Sequence, residues 1–325
     1  MLSAADELRH PSDDDHFFRE SLYFNFADAE HKIGGWIYLW VLPNQEMKSG
    51  MLCSFYHGLH PDPQTSARAQ AAPNHIERAE DGRWMYFLTK NVPELLTADF
   101  DDVELNGLHL VRKKPLEEYQ LDYEDDAGNG FSLTGRFLTL PYDYADHPNP
   151  TPDWMAADRY HRAWAVEGTL RMGGEEFKIH TTGDSDHSWG RRHGGQFGQF
   201  LFKMWSAQVE PDFAFSVVTM GDPGNEIPYG FISIDGQMRA VTSVEEHGTY
   251  EPDGLQKTAS LVFTDDAGRT VRATAEMFAS IAAGSPPAYW GHEGGATYVI
   301  EGVGTTSGIV SYFWPGGVSP NGLKA

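Results

Sequence analysis

The chain has 325 residues, 47 of them acidic and 24 basic, for a formal charge of −23 at neutral pH. That balance excludes sequence-independent nucleic-acid binding and docking on an anionic membrane face, both of which need basic surface. Contents of 40% apolar and 22% charged residues exclude wholesale disorder, while 34 Gly, 19 Pro and 13% aromatic residues favour many short segments over long helices.

In chain order, the first twenty residues are polar and carry Asp13, Asp14 and Asp15, unlike a secretory signal peptide. Strand candidates follow at 34–42, 51–57, 83–89, 120–124, 131–137, 161–172 and 176–182. Later ones lie at 200–209, 214–220, 229–234, 259–264, 271–277, 298–302 and 308–313. Hairpin turn signals separate them, among them Asp81-Gly82, Gly173-Gly174, Asp235-Gly236, Asp253-Gly254 and the run from Asp265 to Gly268. Only 65–72 suggests a short helix. In the first strand Trp36, Tyr38 and Trp40 alternate with Ile37, Leu39 and Val41, so both faces are bulky. Two readings fit: the aromatic face lines a cavity as barrel interiors do, or the strand lies between two packed layers.

The longest apolar run, 36–43, falls far below the roughly 20 residues of a membrane helix, so a soluble cytoplasmic protein is expected. The proline-rich stretch 142–153 is a first candidate for a domain boundary, and the polar stretch 183–198 a second. Cys53 is the single cysteine, which excludes an intrachain disulfide and a cysteine-rich metal site; it reads as a small buried strand residue.

The densest chemistry lies in TGDSDHSWGRRHGG, from Thr182 to Gly195, which reads as a loop. Asp186 ionises easily if Arg191 and Arg192 point at it; buried among apolar groups it becomes a proton donor instead. His57 and His60 (HGLH), with His75 downstream, have a spacing that can chelate a metal but lack a helix or an acidic third ligand at set spacing, and no nucleotide loop or GxSxG elbow is present. No metal and no redox cofactor are therefore expected. Tyr289-Trp290-Gly291-His292-Glu293 forms a second polar and aromatic cluster, which could reach a cavity mouth but reads first as a surface loop.

GDSDHSWGRR, from Gly183 to Arg192, resembles the GxRDHSWGxR signature of the tandem lipocalin-like proteins, a group that includes carotenoid 1,2-hydratase, fungal Diels–Alderases and AttH-like proteins. Weaker likeness at 19–26 (RESLYFNF), 34–42, 160–179, 231–236 and 307–312 extends this over most of the chain. Ser185 departs from the signature, which has arginine there. The resemblance implies an all-β protein of two lipocalin-like antiparallel β-barrels packed side by side, spanning 1–185 and 186–325, with an apolar pocket near their junction. It also implies action on hydrophobic isoprenoid or polyketide skeletons without a redox cofactor.

Two functional classes follow. One is a cofactor-independent lyase or isomerase, of hydratase or cyclase type, acting on an apolar isoprenoid or aromatic substrate. The other is a carrier that binds a hydrophobic small molecule unchanged. In the enzyme, Asp186 is the acid, and His187, Tyr56 and His57 orient it or receive the proton. Trp36, Tyr38, Trp40, Trp189 and Trp205 offer aromatic faces to substrate and cation, and Arg191 and Arg192 bind substrate. A competing reading makes Asp186 a cap for backbone N–H groups and Trp189 a wedge between the barrels. No nucleic-acid partner and no membrane insertion are expected; self-association is left open.

Overall fold

A computed structural model describes residues 2–46, 48–60, 74–152, 154–156, 158–193, 199–210, 212–251, 254–283 and 289–316, with their side chains except at 74–77 and 289–290. The helix candidate at 65–72, the side chain of His75 and residue Asp253 lie outside that description.

Alternating side chains between glycine-rich turns make strands, and here they make two sets. The first comprises β1 (Glu20–Asp28), β2 (Ile33–Leu42), β3 (Lys48–His57), β4 (Leu59–His60), β5 (Asn74–Arg78), β6 (Trp84–Lys90) and β7 (Asp102–Leu105). It continues with β8 (Leu108–Lys114), β9 (Glu118–Glu124), β10 (Gly130–Phe137), β11 (Tyr142–Asp143), β12 (Asp158–Met172) and β13 (Glu175–Trp189). The second comprises β14 (Leu201–Val209), β15 (Phe213–Gly221), β16 (Ile227–Ile234), β17 (Gln237–Tyr250), β18 (Gln256–Asp265), β19 (Thr270–Ala282), β20 (Tyr289–Ile300) and β21 (Gly304–Pro315).

Apart from β4, the first set forms one antiparallel sheet ordered β5-β6-β3-β2-β1-β13-β12-β10-β9-β8-β7, with β11 beside β12. It curls into a half-barrel. The second set is an up-and-down barrel from β14 to β21 that closes where β21 pairs with β14, and β4 adds in parallel to β19. The all-β expectation with two barrel-like units therefore holds. Turns fix the hairpins: at Gly173-Gly174 (φ 62° and 82°) and Asp235-Gly236 (φ 52° and 73°) both central residues are left-handed, as a type I′ turn requires.

Each unit has its own interior. Phe24, Ile37, Leu39, Cys53, Phe55 and Trp164 fill the concave side of the half-barrel. Trp205, Phe215, Phe263, Tyr298 and Tyr312 fill the closed barrel. The half-barrel is plugged by the N-terminal segment. Ser3 caps a short 3₁₀ turn (Ala4–Glu7), and the fully buried Glu7 accepts bonds from Arg162 Nη1 and the Leu116 N–H, both at 2.7 Å.

Two further apolar clusters glue the convex face of the half-barrel to the outside of the closed barrel. One joins Trp36, Leu52, Tyr56 and Tyr86 to Ala279, Ile281 and Phe313; the other joins Tyr142, Tyr144 and Met155 to Met204, Val218 and Phe231. Strand β2 thus lies between two packed layers, with Ile37, Leu39 and Val41 in the half-barrel core and its aromatic face toward the neighbouring barrel. Within the proline-rich stretch, residues 142–144 belong to that interface: β11 pairs with β12, and Tyr144 is buried.

Candidate functional site

Segment 182–189 is not a loop. It is the end of β13, paired residue for residue with β12. Polar side chains suggest a loop, but here both faces of the strand are covered, and Asp186, His187 and Ser188 meet polar partners on neighbouring strands. Gly183 permits the close packing, since a Cβ there would lie 1.9 Å from the Asn25 carbonyl oxygen.

Alternation divides the signature between two faces. Asp184, Asp186 and Ser188 point toward the closed barrel; Ser185, His187 and Trp189 point the other way. His161 stands directly opposite Asp186 in the register, and its Nε2 donates to Asp186 Oδ2 at 2.9 Å. Arg159, on the same face of β12, brings its Nε to 3.2 Å from that oxygen. Burial pushes the Asp186 carboxyl up, but Arg159 and His161 outweigh it and hold the group well below the usual carboxylate range. His161 Nδ1 faces the Ser216 hydroxyl at 3.1 Å and Asp184 Oδ1 at 3.4 Å. Asp184 is fully buried, and burial raises it to about 6 against the pull of His161 and the Ser216 hydroxyl.

These groups form one wall of a cavity of about 280 Å³ between the two units. Arg19, Tyr23, Tyr38, Arg159, His161, Asp186 and Arg192 line it from the half-barrel side; Phe202, Met204, Glu293, Ser311 and Phe313 line it from the closed barrel. Glu293 is 8% exposed. Its Oε2 accepts from the Ser311 hydroxyl and from the Tyr23 hydroxyl at 3.3 Å. Among the described residues, Oε1 has no hydrogen bond. Burial raises this carboxyl to about 7, more than the two hydroxyls lower it.

Of the residues singled out from sequence, Tyr38, Asp186 and Arg192 line the cavity. Trp40 stacks on Tyr38, with ring centroids 5.4 Å apart, and Trp36 and Tyr56 pack in the adjoining interface cluster. The Tyr56 ring lies where a Cβ on Gly34 would be, 2.6 Å away, so only glycine fits there. The others lie elsewhere. His57 sits against Phe177 at 5.8 Å, away from Asp186. Arg191 is exposed, 3.5 Å from Asp15. Trp205 is sealed in the closed barrel, donating to the Tyr312 hydroxyl at 2.9 Å.

His187 and Trp189 face away from the cavity and hold the N-terminal segment. Glu20 Oε1 accepts from His187 Nε2 at 3.1 Å and His10 Nδ1 at 2.8 Å, and the His10 ring stacks on Trp189 at 3.8 Å. His10, Glu20 and His187 also keep one ligand-type atom each within 4.8 Å of the others, the arrangement a metal ion would need. Here the same atoms are already engaged with one another. Burial raises the Glu20 carboxyl, but these histidines outweigh it and bring the group to about 2.

Sequence reasoning missed Arg19, Arg159 and His161, and reached Glu293 only as part of the Tyr289–Glu293 cluster. The cluster Tyr289–Glu293 is not a surface loop: it belongs to β20, where Glu293 is paired with β19 and β21 and lines the cavity.

No curated protein matches the sequence. Among solved structures, an AttH-like protein from Nitrosomonas europaea aligns with a TM-score of 0.59 over 93% of each chain, at 14% identity. Kievitone hydratase from Nectria haematococca aligns at 0.53 over 91% of this chain and 88% of that one, at 12% identity. CghA aligns at 0.50 over 91% and 87%, also at 12% identity. At these identities the likeness is one of fold. The family model described as "Domain of unknown function (DUF7064)" matches residues 3–305.

Proposed function

Because this chain belongs to the DUF7064 family and shares its fold with an AttH-like protein and a hydratase, we propose that it is an enzyme of hydratase or cyclase type, working by acid–base chemistry without a redox cofactor on an apolar isoprenoid or aromatic substrate. The observation that carries this reading is a split pair of carboxyls in one cavity. Glu293 stays protonatable near neutrality while Asp186 stays ionised. Environments that push two carboxyls apart assign the acid and the base.

Glu293 Oε1 donates its proton to one carbon of a substrate double bond. The adjacent carbon becomes a cation, faced by Tyr23, Phe202 and Phe313. In a hydration, water adds to that carbon and gives up a proton; in a cyclisation, a second double bond closes on it and a neighbouring C–H bond is lost instead. Asp186 receives the proton. An oxonium ion is so strong an acid that even a carboxylate of depressed pKa accepts from it. His161 keeps that carboxylate oriented, and protons return to Glu293 through solvent in the cavity. Asp186 is thus the acceptor and Glu293 the donor. The DHSWG signature and its likeness to carotenoid 1,2-hydratase support the same reaction class.

A carrier needs no such pair. In this cavity Asp186 is bound by side chains and faces the open volume, which favours chemistry over carriage. The test is incubation with a panel of terpenoid and prenylated alkenes in isotopically labelled water, read by mass spectrometry. A product with one labelled oxygen, or an isomer of unchanged mass, is expected with the wild type. Glu293→Gln is expected to slow turnover about 10²- to 10⁴-fold. Equal turnover in Glu293→Gln would remove the acid assignment, and stoichiometric binding with unchanged ligand would establish a carrier.

A further inference from the structure

The chain as a whole carries a formal charge of −23, yet this cavity gathers three arginines, Arg19, Arg159 and Arg192. Arg159 is engaged with Asp186. Arg19 has no ion pair among the described residues: Nη2 donates to the Tyr38 hydroxyl oxygen at 2.7 Å, and its buried Nε has no hydrogen-bond partner. Arg192 Nη1 lies 3.4 Å from the same oxygen. A guanidinium only donates, so two cations converge on one neutral acceptor.

That arrangement is costly on its own. Burial, together with repulsion from Arg19 and Arg159, outweighs the pull of Tyr38 and Asp186 and lowers Arg192 to about 10, while Arg19 and Arg192 outweigh burial to hold the Tyr38 hydroxyl below its ordinary value. A purely hydrocarbon ligand relieves none of this, because it supplies no charge to groups it desolvates. A delocalised oxyanion supplies the counter-charge that Arg19 lacks among the described residues, with the guanidinium forks matching its geometry.

We propose that the arginine end of the cavity, formed by Arg19, Arg192 and the Tyr38 hydroxyl, binds an oxyanion carried on the substrate's apolar skeleton, a carboxylate or an ionised enol or phenol. The skeleton then lies over Phe202, Met204 and Phe313, which places its double bond toward Glu293. The proposal rests on the reading of this cavity as the reaction site, but binding tests it without turnover. The negative surface of the protein repels anions, so adventitious attachment of the probe is disfavoured.

The probes are geranate and its neutral analogue geranamide, titrated calorimetrically into wild type, Arg19→Gln, Arg192→Gln and Tyr38→Phe. Geranate is expected to bind about 10- to 100-fold more tightly than geranamide, the range of a hydrogen bond to a charged group. Each arginine variant, with its melting temperature checked, is expected to lose most of that preference; Tyr38→Phe, which keeps both charges, retains most of it. A prenylated phenol titrated above and below its own pKa separates phenolate from carboxylate recognition. Equal affinity for geranate and geranamide, no binding of either, or an undiminished preference in both arginine variants would overturn the proposal. A surviving preference without labelled-water incorporation would instead overturn the hydratase reading alone.

Discussion

Glu293→Gln tests the central assignment through stability alone, with no need for a substrate. The carboxyl sits at about 7 in the folded protein, against 4.5 for an ordinary glutamate. Between these values the folded state keeps a proton that the unfolded chain releases. The contribution of this group is therefore fully present below about pH 4.5 and is lost as pH rises through 7. At about 1.4 kcal/mol for each pH unit, the loss amounts to about 3 kcal/mol. Glutamine has no proton to release, and its carbonyl oxygen still accepts from Ser311 and Tyr23. Urea unfolding of both proteins from about pH 5 to about pH 8 should show the variant gaining about 2–3 kcal/mol relative to wild type across that range. Taking the difference cancels every other titrating group that the substitution leaves alone. A variant-minus-wild-type difference that stays flat over this range would mean that Glu293 ionises normally, and the proton donor would have to be sought elsewhere.

Glu20→Gln should behave in the opposite sense: Glu20 is lowered from 4.5 to about 2, so its roughly 3 kcal/mol is present above about pH 4.5 and lost in acid. Acid unfolding curves of equal slope in wild type and variant would refute the His10–Glu20–His187 account. Asp186→Asn leaves the 6% exposed Arg159 without its carboxylate and should cost about 3–5 kcal/mol in chemical unfolding; wild-type stability would contradict the ion pair. Trp205→Ala should cost about 3–5 kcal/mol while leaving geranate affinity per folded molecule unchanged, since Trp205 lies in the closed barrel rather than the cavity. Cys53 is buried and its thiol is pushed up, so a thiol reagent should label it only in denaturant; rapid labelling of native protein would show the half-barrel core to be open.

The fold was readable because its information is local. Period-two alternation and turn pairs such as Gly173-Gly174 mark strands without reference to anything distant. Strand β17 escaped because much of it faces solvent and its sequence, QMRAVTSVEEHGTY, contains few apolar residues. The first part of β20 escaped because its glycines mimic a turn; at Gly294 a Cβ would lie 2.8 Å from the Ala279 carbonyl oxygen. The site was only partly readable for a different reason. Asp186 was found from its neighbours in sequence, but the groups that set its charge come from β12, and the opposing acid comes from the other barrel. Asp186 and His161 are 25 residues apart and meet only through register. Arg191 and Arg192, adjacent in sequence, end on the surface and in the cavity respectively.

The β12–β13 hairpin carries a consequence for how this chain tolerates changes in length. Its two 15-residue strands pair without a register shift from Asp158↔Trp189 to Met172↔Glu175. Because neighbouring side chains of β13 serve different compartments, sliding the strand by one residue would exchange them. Ser185 or His187 would arrive in the cavity, and a carboxylate would be thrust beside Glu20, where the present arrangement depends on a histidine. Inserting or deleting a single residue near Gly173-Gly174 is thus an exchange of chemistries rather than a loop variation, unless a bulge absorbs it before Asp184. Changes by two residues keep every side chain on its own face, so this turn should accept even steps far more readily than odd ones.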